Sequence, residues 1–179
     1  MPRTRDQFLQ MKDERMVSIL DASLKLFSVY GMKVSIDAIS EKAKCSHGIV
    51  YHYFKNSDEI YQKLLKSPQY LELINKINEK FEGSSYEKIE HLISILIDVS
   101  KDDITKVCFL NMLIKSREKN CLFDKTKALI KDGQNSGKII GGEPAQIVET
   151  LFCLLRGIYL PFLLEKHPNY QVPSLESVM

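Results

Sequence analysis

Hydrophobic residues recur at helical spacing along this chain, and the clearest example lies within residues 35–61. Ile36, Ile39 and Ala43 stand at positions i, i+3 and i+7, so they fall on one side of a helix of about two turns that Ser35 can cap. The pattern therefore predicts a short helix with a single buried face.

A polar break and a second short helix follow directly. Lys44 and Cys45 can form the turn between the two helices. Ser46 can cap the second helix, in which Val50 and Phe54 are four residues apart and point toward one core. The opposite face of that helix is then free to contact a partner.

The free face of the second helix carries residue types that suit DNA contact. A recognition helix reads base edges from its first turn, where Ile49 suits a thymine methyl group, His47 suits a hydrogen-bond acceptor, and Gly48 permits close approach. Hydroxyl, imidazole and ammonium groups farther along can bond phosphate oxygens, and Ser35 can add a phosphate contact at the preceding helix N-terminus. We therefore expect a DNA-binding surface made of Ser35, Ser46, His47, Gly48, Ile49, Tyr51, His52, Tyr53 and Lys55. Helix-turn-helix shapes also occur in domains that never touch DNA, so a helical protein-interaction module stays open as an alternative.

Beyond residue 66 the hydrophobic spacing and the capping residues predict helices throughout. These helices are expected from Ser67 and Pro68 to Gly83, from Ser84 with a capping box at Glu87 to about Ser100, from near Asp103 to Glu118, from Leu122 to about Ser136, and from Pro144 to just before His167. The sequence thus predicts an all-α protein, with an N-terminal three-helix domain at residues 1–66 and a C-terminal helical domain at residues 67–179.

The last predicted helix is apolar on more than one face between Ile147 and Leu164. Glu149 and Arg156 interrupt the apolar run and Pro161 would kink it, which argues against a membrane span. A helix that is apolar on several faces must be covered on several sides. A second subunit would cover one side, and the central helix of a monomeric bundle is the alternative.

Aromatic and soft residues in the middle helices are candidates for a ligand pocket, although most residues of this kind belong to the core. The candidates are Tyr70, Phe81, Tyr86, Cys108, Phe109, Met112, Phe123, Phe152, Arg156 and Tyr159. Arg156 needs a partner within an apolar helix, and we favour an ion pair with Glu149 over an acid of a partner subunit or an anionic ligand.

Composition and charge change this picture only slightly. The chain has 179 residues, of which 44% are hydrophobic and 27% charged, as in ordinary soluble globular proteins. Residues 1–66 hold 11 Lys and Arg against 8 Asp and Glu, which leaves a modest positive surplus in the DNA-binding half. Arg3 and Arg5, ahead of the first helix, can reach a minor groove or a phosphate, although a solvated tail is the favoured state.

The potential metal ligands and nucleophiles are scattered. The sequence contains no C-x-x-C pair and no signal peptide, which suits a reducing cytoplasm, and a turn cysteine at position 45 raises redox sensing as a minor possibility. No P-loop, G-x-S-x-G or H-E-x-x-H motif occurs, so we expect no enzyme activity, no cofactor and no metal. The residues concerned are Cys45, Cys108, Cys121, Cys153, His47, His52, His91 and His167.

The amino-terminal pattern resembles the TetR family of bacterial transcriptional regulators over about the first 65 residues. The resemblance rests on Phe27, Gly31, Ile39, Ala43, Ser46, Gly48, Tyr51, Phe54, the acidic pair Asp58 and Glu59, and Ile60. It implies a ligand-responsive repressor that dimerises through the last two long helices, here about 122–136 and 144–166. An activator that uses the same DNA-binding head is the alternative, because no residue distinguishes the two.

A dimer would constrain the DNA site, because two recognition helices related by a two-fold axis fall in successive major grooves of an approximately palindromic operator. The resemblance implies that a small-molecule effector entering the C-terminal helices moves the two heads apart. A coupling of about 1–3 kcal/mol would suffice for release.

Five positions depart from the family pattern. Ser40 replaces the usual Ala, and Lys44 and Cys45 replace the usual turn residues, so Lys44 is expected to adopt a positive φ at some cost unless the turn differs. Ser57 stands where relatives commonly have a phosphate-binding Lys, a role that Lys55 can fill. His47 stands where Lys, Arg or a small polar residue is frequent, so no base preference carries over from relatives.

Overall fold

The computed structural model describes residues 5–115 and 121–164, and within them it contains helices and no strands. The helices are α1 (Arg5–Tyr30), α2 (Ile36–Lys42), α3 (His47–Tyr53), α4 (Ser57–Leu64), α5 (Pro68–Ile77), α6 (Ser85–Asp102), α7 (Ile104–Lys115), α8 (Cys121–Asn135) and α9 (Pro144–Leu163). The predicted all-α class is confirmed. The residues fall into two units, one ending at Ser67 and the other beginning at Pro68.

The core of the N-terminal unit collects one face from each of its helices. Ile39 of α2, Val50 of α3 and Ile60 of α4 are fully buried, as is Phe27 of α1. The Phe27 and Tyr61 rings pack edge to face, with ring centroids 6.2 Å apart. Because each buried side chain of this size contributes about 1.5–3 kcal/mol, these few anchors fix the short helices α2 and α3 in place.

The turn between α2 and α3 is a Schellman motif closed by a lysine. Lys44 has φ +53°, its N–H donates to the Glu41 carbonyl at 3.1 Å, and the Cys45 N–H donates to the Ser40 carbonyl at 3.0 Å. The positive φ expected for Lys44 is therefore confirmed. The left-handed conformation is unfavourable by about 1–2 kcal/mol for a residue with a Cβ, so Lys44 slightly destabilises this turn.

Helix α5 is shorter than the sequence pattern predicts. We expected it to reach Gly83, but it ends at Ile77, where the Lys125 ammonium donates to the Ile77 carbonyl at 2.5 Å. A cation on the last carbonyls of a helix satisfies acceptors that no intrahelical donor reaches. The stop thus comes from a residue far away in the sequence, which the local pattern cannot reveal.

The start of α6 follows the prediction closely. The Ser84 hydroxyl accepts from the Glu87 N–H, and the Glu87 carboxylate accepts from the Ser84 N–H at 2.7 Å. This is the expected capping box. Hydrogen bonds from the Ser84 side chain and backbone lower the pKa of Glu87, which keeps that carboxylate ionised in its capping role.

The core of the C-terminal unit is built around α7. Every residue of α7 from Val107 to Ile114 is buried, so this helix, rather than α9, is surrounded on all sides. Helix α9 instead buries one face, which includes Leu155 and Tyr159. The Tyr159 hydroxyl donates to the Leu96 carbonyl of α6 at 2.9 Å, and burial raises the pKa of this phenol far above its ordinary range.

Several predicted boundaries shift by a few residues. Arg5 is the first residue of α1 rather than part of a tail ahead of it, while Arg3, Glu118 and His167 lie outside the described residues. Pro161 lies inside α9. Among the described helices, none combines the length and the apolar character that a membrane span requires.

Candidate functional site

The face of α3 that points away from the core is open to solvent. Val50 and Phe54 hold the helix by its inner side, whereas His47, Gly48 and Tyr51 are exposed, and the Tyr51 side chain is 53% accessible. Ser46 and His52 are exposed as well, and Ile49 and Tyr53 are half-buried. The sequence prediction of a one-sided helix with a hydrogen-bonding outer face matches this arrangement.

A contact that the sequence pattern did not reveal organises the start of α3. The Nδ1 atom of His47 lies 3.2 Å from Oδ1 of Asp37, in the first turn of α2, and the His47 ring lies 4.9 Å from the Tyr51 ring. Both His47 and Asp37 are largely exposed, so the pair is a surface contact and not a core interaction. With Nδ1 held by Asp37, Nε2 is the imidazole nitrogen left to meet a base or a phosphate.

The first turn of α3 has room for a partner. Ser46 occupies the N-cap position with an extended backbone, but its hydroxyl makes no capping hydrogen bond, contrary to the expected cap. A Cβ added at Gly48 would meet no atom within 4 Å, so the glycine leaves open space on this surface. The first turn of α3 therefore leaves space beside His47 for a partner.

The end of α3 leads to the first turn of α4 through a capped link. The Lys55 N–H donates to the Glu59 carboxylate at 2.6 Å, and the Asn56 side chain accepts from the Glu59 N–H at 2.9 Å. Ser57, at the position of the family's lysine, donates its hydroxyl to the Val34 carbonyl at 3.2 Å. Lys55, beside this turn, is an exposed cation. Ser57 itself supplies no positive charge.

Ser35 caps α2 as expected. Its hydroxyl accepts from the Ala38 N–H at 3.2 Å, and it remains exposed. The hydroxyl proton is still available for a phosphate oxygen, because capping uses only the acceptor capacity of the group. Cys45, half-buried in the turn that follows α2, donates its backbone N–H within the Schellman motif.

Two of the cavities among the described residues of the C-terminal unit are candidates for a ligand site. The first, which we call the α7–α9 cavity, has a volume of about 360 Å³. It is lined by Ile114, Lys115, Phe123, Glu149, Phe152, Cys153 and Arg156. Three of the predicted pocket residues, Phe123, Phe152 and Arg156, therefore share one cavity.

The charged residues of the α7–α9 cavity differ from the expectation. Glu149 and Arg156 both line it, but within the described residues no ion pair joins them. Arg156 instead acts electrostatically on Lys115: partial burial, and then the Arg156 charge, lower the pKa of the Lys115 ammonium. Two cations thus share one small cavity.

The second cavity has a volume of about 240 Å³ and lies where α5, α6 and α8 meet. Phe81, a predicted pocket residue, lines it and stacks on His91 with ring centroids 4.3 Å apart and an interplanar angle of 17°. Lys125, which closes α5, lines it too.

The other predicted pocket residues lie elsewhere. Cys108, Phe109 and Met112 are buried in α7, where they form core, and Tyr70 packs against Phe109 with ring centroids 5.4 Å apart. Tyr86 is partly exposed near the start of α6. None of these five lines either cavity described here, so their assignment to a ligand site remains a prediction without structural support.

The outward face of α9 mixes exposed leucines with polar residues, and that of α8 is charged. Leu154 and Leu160 of α9 and Leu164 just after the helix are exposed, by 53%, 47% and 41%, and Glu149 and Arg156 of α9 are exposed as well. Exposed α8 positions carry Asp124, Lys127, Lys131 and Asp132. The exposed leucines and the charged α8 positions both lie on the surface of the C-terminal unit.

Metal-binding chemistry finds no support in the part of the chain that the structure describes. No three His, Cys, Asp or Glu side chains gather there as possible ligands of a metal ion.

Comparison with known proteins agrees with the geometry of the N-terminal unit. Residues 19–64 match the sequence profile described as bacterial regulatory proteins, tetR family. No curated protein sequence matches the chain at a significant level. The profile covers α2, α3 and α4 together with the second half of α1, and the resemblance expected from the sequence is thereby confirmed.

Solved structures share a similar fold over most of the chain. A member of the TetR transcriptional regulator family from Streptomyces coelicolor A3, SCO3833, has a TM-score of 0.59 at 16% identity, over 89% of this chain and 86% of that one. The MbdR regulator from Azoarcus sp. CIB has a TM-score of 0.56 at 18% identity, over 92% of this chain and 94% of that one. At such low identity these likenesses establish the fold alone.

Proposed function

Residues 19–64 place this chain in the TetR family of bacterial regulatory proteins, and from that premise we propose that it is a homodimeric transcriptional repressor released from a palindromic operator by a small-molecule effector. The observation that carries the proposal is the outer face of α3. Two buried anchors, Val50 and Phe54, hold a helix whose other side is open and rich in hydrogen-bonding groups.

The positions on the outer face of α3 suit two kinds of DNA contact, one to bases and one to phosphates. His47 and Ile49 lie in the first turn, from which a recognition helix reads base edges in the major groove. Tyr51, His52 and Lys55 lie farther along, where contacts to phosphate fix the register of the helix without reading sequence. Ser35 adds a hydroxyl and the free N–H groups of the α2 N-terminus.

A dimer is supported by the outward face of α9. Leu154 and Leu160 of α9, with Leu164 just after the helix, expose apolar surface that a second copy of the chain would cover. The proposed interface spans about 122–136 and 144–166, with α9 supplying apolar contact and α8 supplying charges of both signs that suit a self-complementary two-fold contact. Two heads held at a fixed distance would read an approximate palindrome.

Effector control is supported by the α7–α9 cavity, which borders the proposed dimer helices. A ligand there would contact three helices at once and could shift their packing. A coupling free energy of about 1–3 kcal/mol, roughly 5- to 150-fold in operator affinity, would be enough for release.

The test is selection of tight binders from a random duplex DNA pool, followed by affinity measurement against salt. For the wild-type chain we expect a palindromic site and a steep salt dependence, because phosphate contacts release counterions. His47→Ala should lose preference at one position of each half-site, with about tenfold weaker binding. Tyr51→Phe should weaken all sequences alike by a few-fold, because it removes one hydrogen bond to phosphate.

Tyr86→Phe is the matched control, since Tyr86 is a partly exposed tyrosine of the other unit. It should bind DNA like the wild type. Weak, sequence-independent binding by the wild type would contradict the proposal and favour a helical protein-interaction module. A promoter fused to the selected site then gives the sign of regulation, and a rise in transcript on adding the protein would favour an activator.

A further inference from the structure

The imidazole of His47 lies between a carboxylate and an aromatic ring on the surface of the N-terminal unit. Its Nδ1 atom is 3.2 Å from Oδ1 of Asp37, and the two side chains are 48% and 78% exposed. On its other side the His47 ring is tilted by 40° against the Tyr51 ring, with centroids 4.9 Å apart. These contacts hold the ring by Nδ1 and by one face, and they leave Nε2 to a partner.

The Asp37 carboxylate determines which ring nitrogen carries the proton when His47 is neutral. An ionised carboxylate can only accept, so a lone pair on Nδ1 would face a negative oxygen across 3.2 Å. The neutral ring therefore carries its proton on Nδ1 and keeps the lone pair on Nε2. Protonation of the ring places a hydrogen on Nε2, which changes that atom from an acceptor to a donor.

The two states of Nε2 suit different bases. In the major groove guanine presents two acceptors, O6 and N7, whereas cytosine presents the N4 amino group as a donor. The charged ring can donate to guanine, and the neutral ring can accept from cytosine. Adenine presents both a donor and an acceptor, so it discriminates less between the two states. A change in the charge of His47 would therefore change the preferred base from guanine to cytosine.

The electrostatic surroundings favour the charged ring on DNA. The Asp37 carboxylate and the DNA phosphates are both negative, and negative neighbours favour the charged form of a histidine. Helix α3 packs on α2, and in the described part of the chain Asp37 is the charged group within ion-pair distance of His47. The other titratable side chains of α2, α3 and the turn between them are Glu41, Lys42, Lys44, Cys45, Tyr51, His52 and Tyr53.

We propose that His47 reads one base of each half-site in two protonation states, donating from Nε2 to guanine when charged and accepting from the cytosine amino group when neutral. Asp37 is the positioning residue that makes this possible, because it keeps the proton of the neutral ring on Nδ1. The inference rests on the proposed function, since it requires α3 to lie in a major groove. The position of the proton can be measured without DNA.

The test repeats the selection from a random duplex DNA pool at about pH 6 and about pH 8, across the range in which histidines change charge. We expect one palindrome at both values, except at one position of each half-site, where guanine gives way to cytosine as the pH rises. Affinity for the guanine operator should fall by about tenfold between the two values. If DNA binding favours the proton, the proton favours DNA binding by the same factor.

Two glutamine variants separate base reading from general affinity. His47→Gln keeps a hydrogen-bonding side chain without a variable charge, so it should select the same base at both pH values. His52→Gln removes the neighbouring exposed histidine of α3, which we place at phosphates. It should weaken binding to all sequences alike and keep the change from guanine to cytosine.

Nitrogen-15 NMR of the free chain at about pH 8 locates the ring proton directly. In the wild type we expect the His47 proton on Nδ1, and in Asp37→Ala a mixture of the two neutral forms. Both variants of His47 and Asp37 change exposed side chains, and a thermal unfolding curve checks that each variant folds.

Identical base choice by the wild type at both pH values would overturn the inference. So would a change from guanine to cytosine that persists in His47→Gln, or a neutral wild-type ring with its proton on Nε2. Each of these outcomes leaves a palindromic operator in place, so the proposed function would stand. A wild-type chain that selects no site at either pH would instead refute the proposed function, and base reading by His47 with it.

Discussion

Helices α3 and α9 each bury one face and expose the other, but the two exposed faces differ in chemistry. The outer face of α3 presents imidazole and hydroxyl groups around Gly48. Helix α9 exposes Leu154 and Leu160, with Leu164 just after it, beside Glu149 and Arg156. The first suits a hydrated, charged partner that is recognised by hydrogen bonds, and the second suits an apolar partner that excludes water.

The difference shows that exposure alone does not identify a partner. A short helix with only two buried anchors cannot contribute much to stability, so its outer residues are free to serve recognition. Exposed leucine side chains on a long helix are unfavourable in water until a second surface covers them. Substitutions that act on one face and leave the other unchanged should therefore separate DNA recognition from assembly.

The largest effect is expected from Leu160→Asp on α9. It should raise the dimer dissociation constant by about a hundredfold or more, because the two-fold axis places each lost leucine and each new charge at the interface twice. Sedimentation of the variant against the wild type measures the change. Ile140→Asp is the matched control, since Ile140 is 83% exposed but lies in the loop before α9. An unchanged dimer in Leu160→Asp would break the comparison, because the outer face of α9 would then not be an interface.

Gly48→Ala on α3 should weaken operator binding by about tenfold while the fold becomes slightly more stable. The new methyl group meets open space in the free protein, and alanine is preferred over glycine in helices by up to about 1 kcal/mol. On DNA, the same methyl would occupy the space of close approach. Thermal unfolding and operator titration measure the two quantities. If affinity were retained, the first turn of α3 would not lie against DNA.

Tyr159→Phe tests the buried face of α9, opposite its leucines. At neutral pH the variant should lose about 1 kcal/mol of unfolding free energy, because the Leu96 carbonyl loses its donor. The raised pKa keeps the folded phenol neutral, whereas the unfolded phenol ionises near its ordinary pKa of 10.0. Wild-type stability should therefore fall above that pH by about 1.4 kcal/mol per unit more than in the variant.

Denaturant unfolding at a series of alkaline pH values measures this difference. Sedimentation at neutral pH should show the same dimer for Tyr159→Phe and the wild type. Parallel stability curves for the two proteins would show that the phenol is accessible in the folded chain.

The smallest effect is expected from Asp37→Ala, which removes the contact that orients His47. Because both side chains are largely exposed, we expect a loss of only about two- to fivefold in operator affinity, with relaxed base choice at the position that His47 reads. Asp37→Asn keeps an acceptor in place and should restore most of the base preference. A loss of affinity without any change in base preference would assign Asp37 a structural role only.

Much of the fold follows from local pattern. The caps at Ser35 and Ser84, the buried anchors Val50 and Phe54, and the positive φ of Lys44 depend on residues within a few positions of one another, and all three predictions are confirmed. Periodicity and capping act over such distances. The starts of α6 and α9 were predictable for the same reason.

Other features depend on residues that meet only in the folded chain. Helix α5 ends where Lys125 reaches Ile77, 48 positions away. Cys108, Phe109 and Met112 have the same spacing whether they line a cavity or fill a core, and the structure places them in the core. The contact between Asp37 and His47 crosses a turn, and the charge of Arg156 acts on Lys115, whereas the sequence favoured an ion pair with Glu149. In each case the outcome depends on which side chains meet in the folded chain, and hydrophobic spacing does not predict those contacts.

The attachment of α3 to the core through two residues, Val50 and Phe54, has an evolutionary consequence. Since Val50 and Phe54 are the buried anchors of α3, the exposed positions of this helix can mutate at little cost to folding. Substitutions that change base preference can then accumulate one at a time without a compensating change in the core. Duplicated copies of such a gene could diverge toward new operators long before their C-terminal units diverged in what they bind.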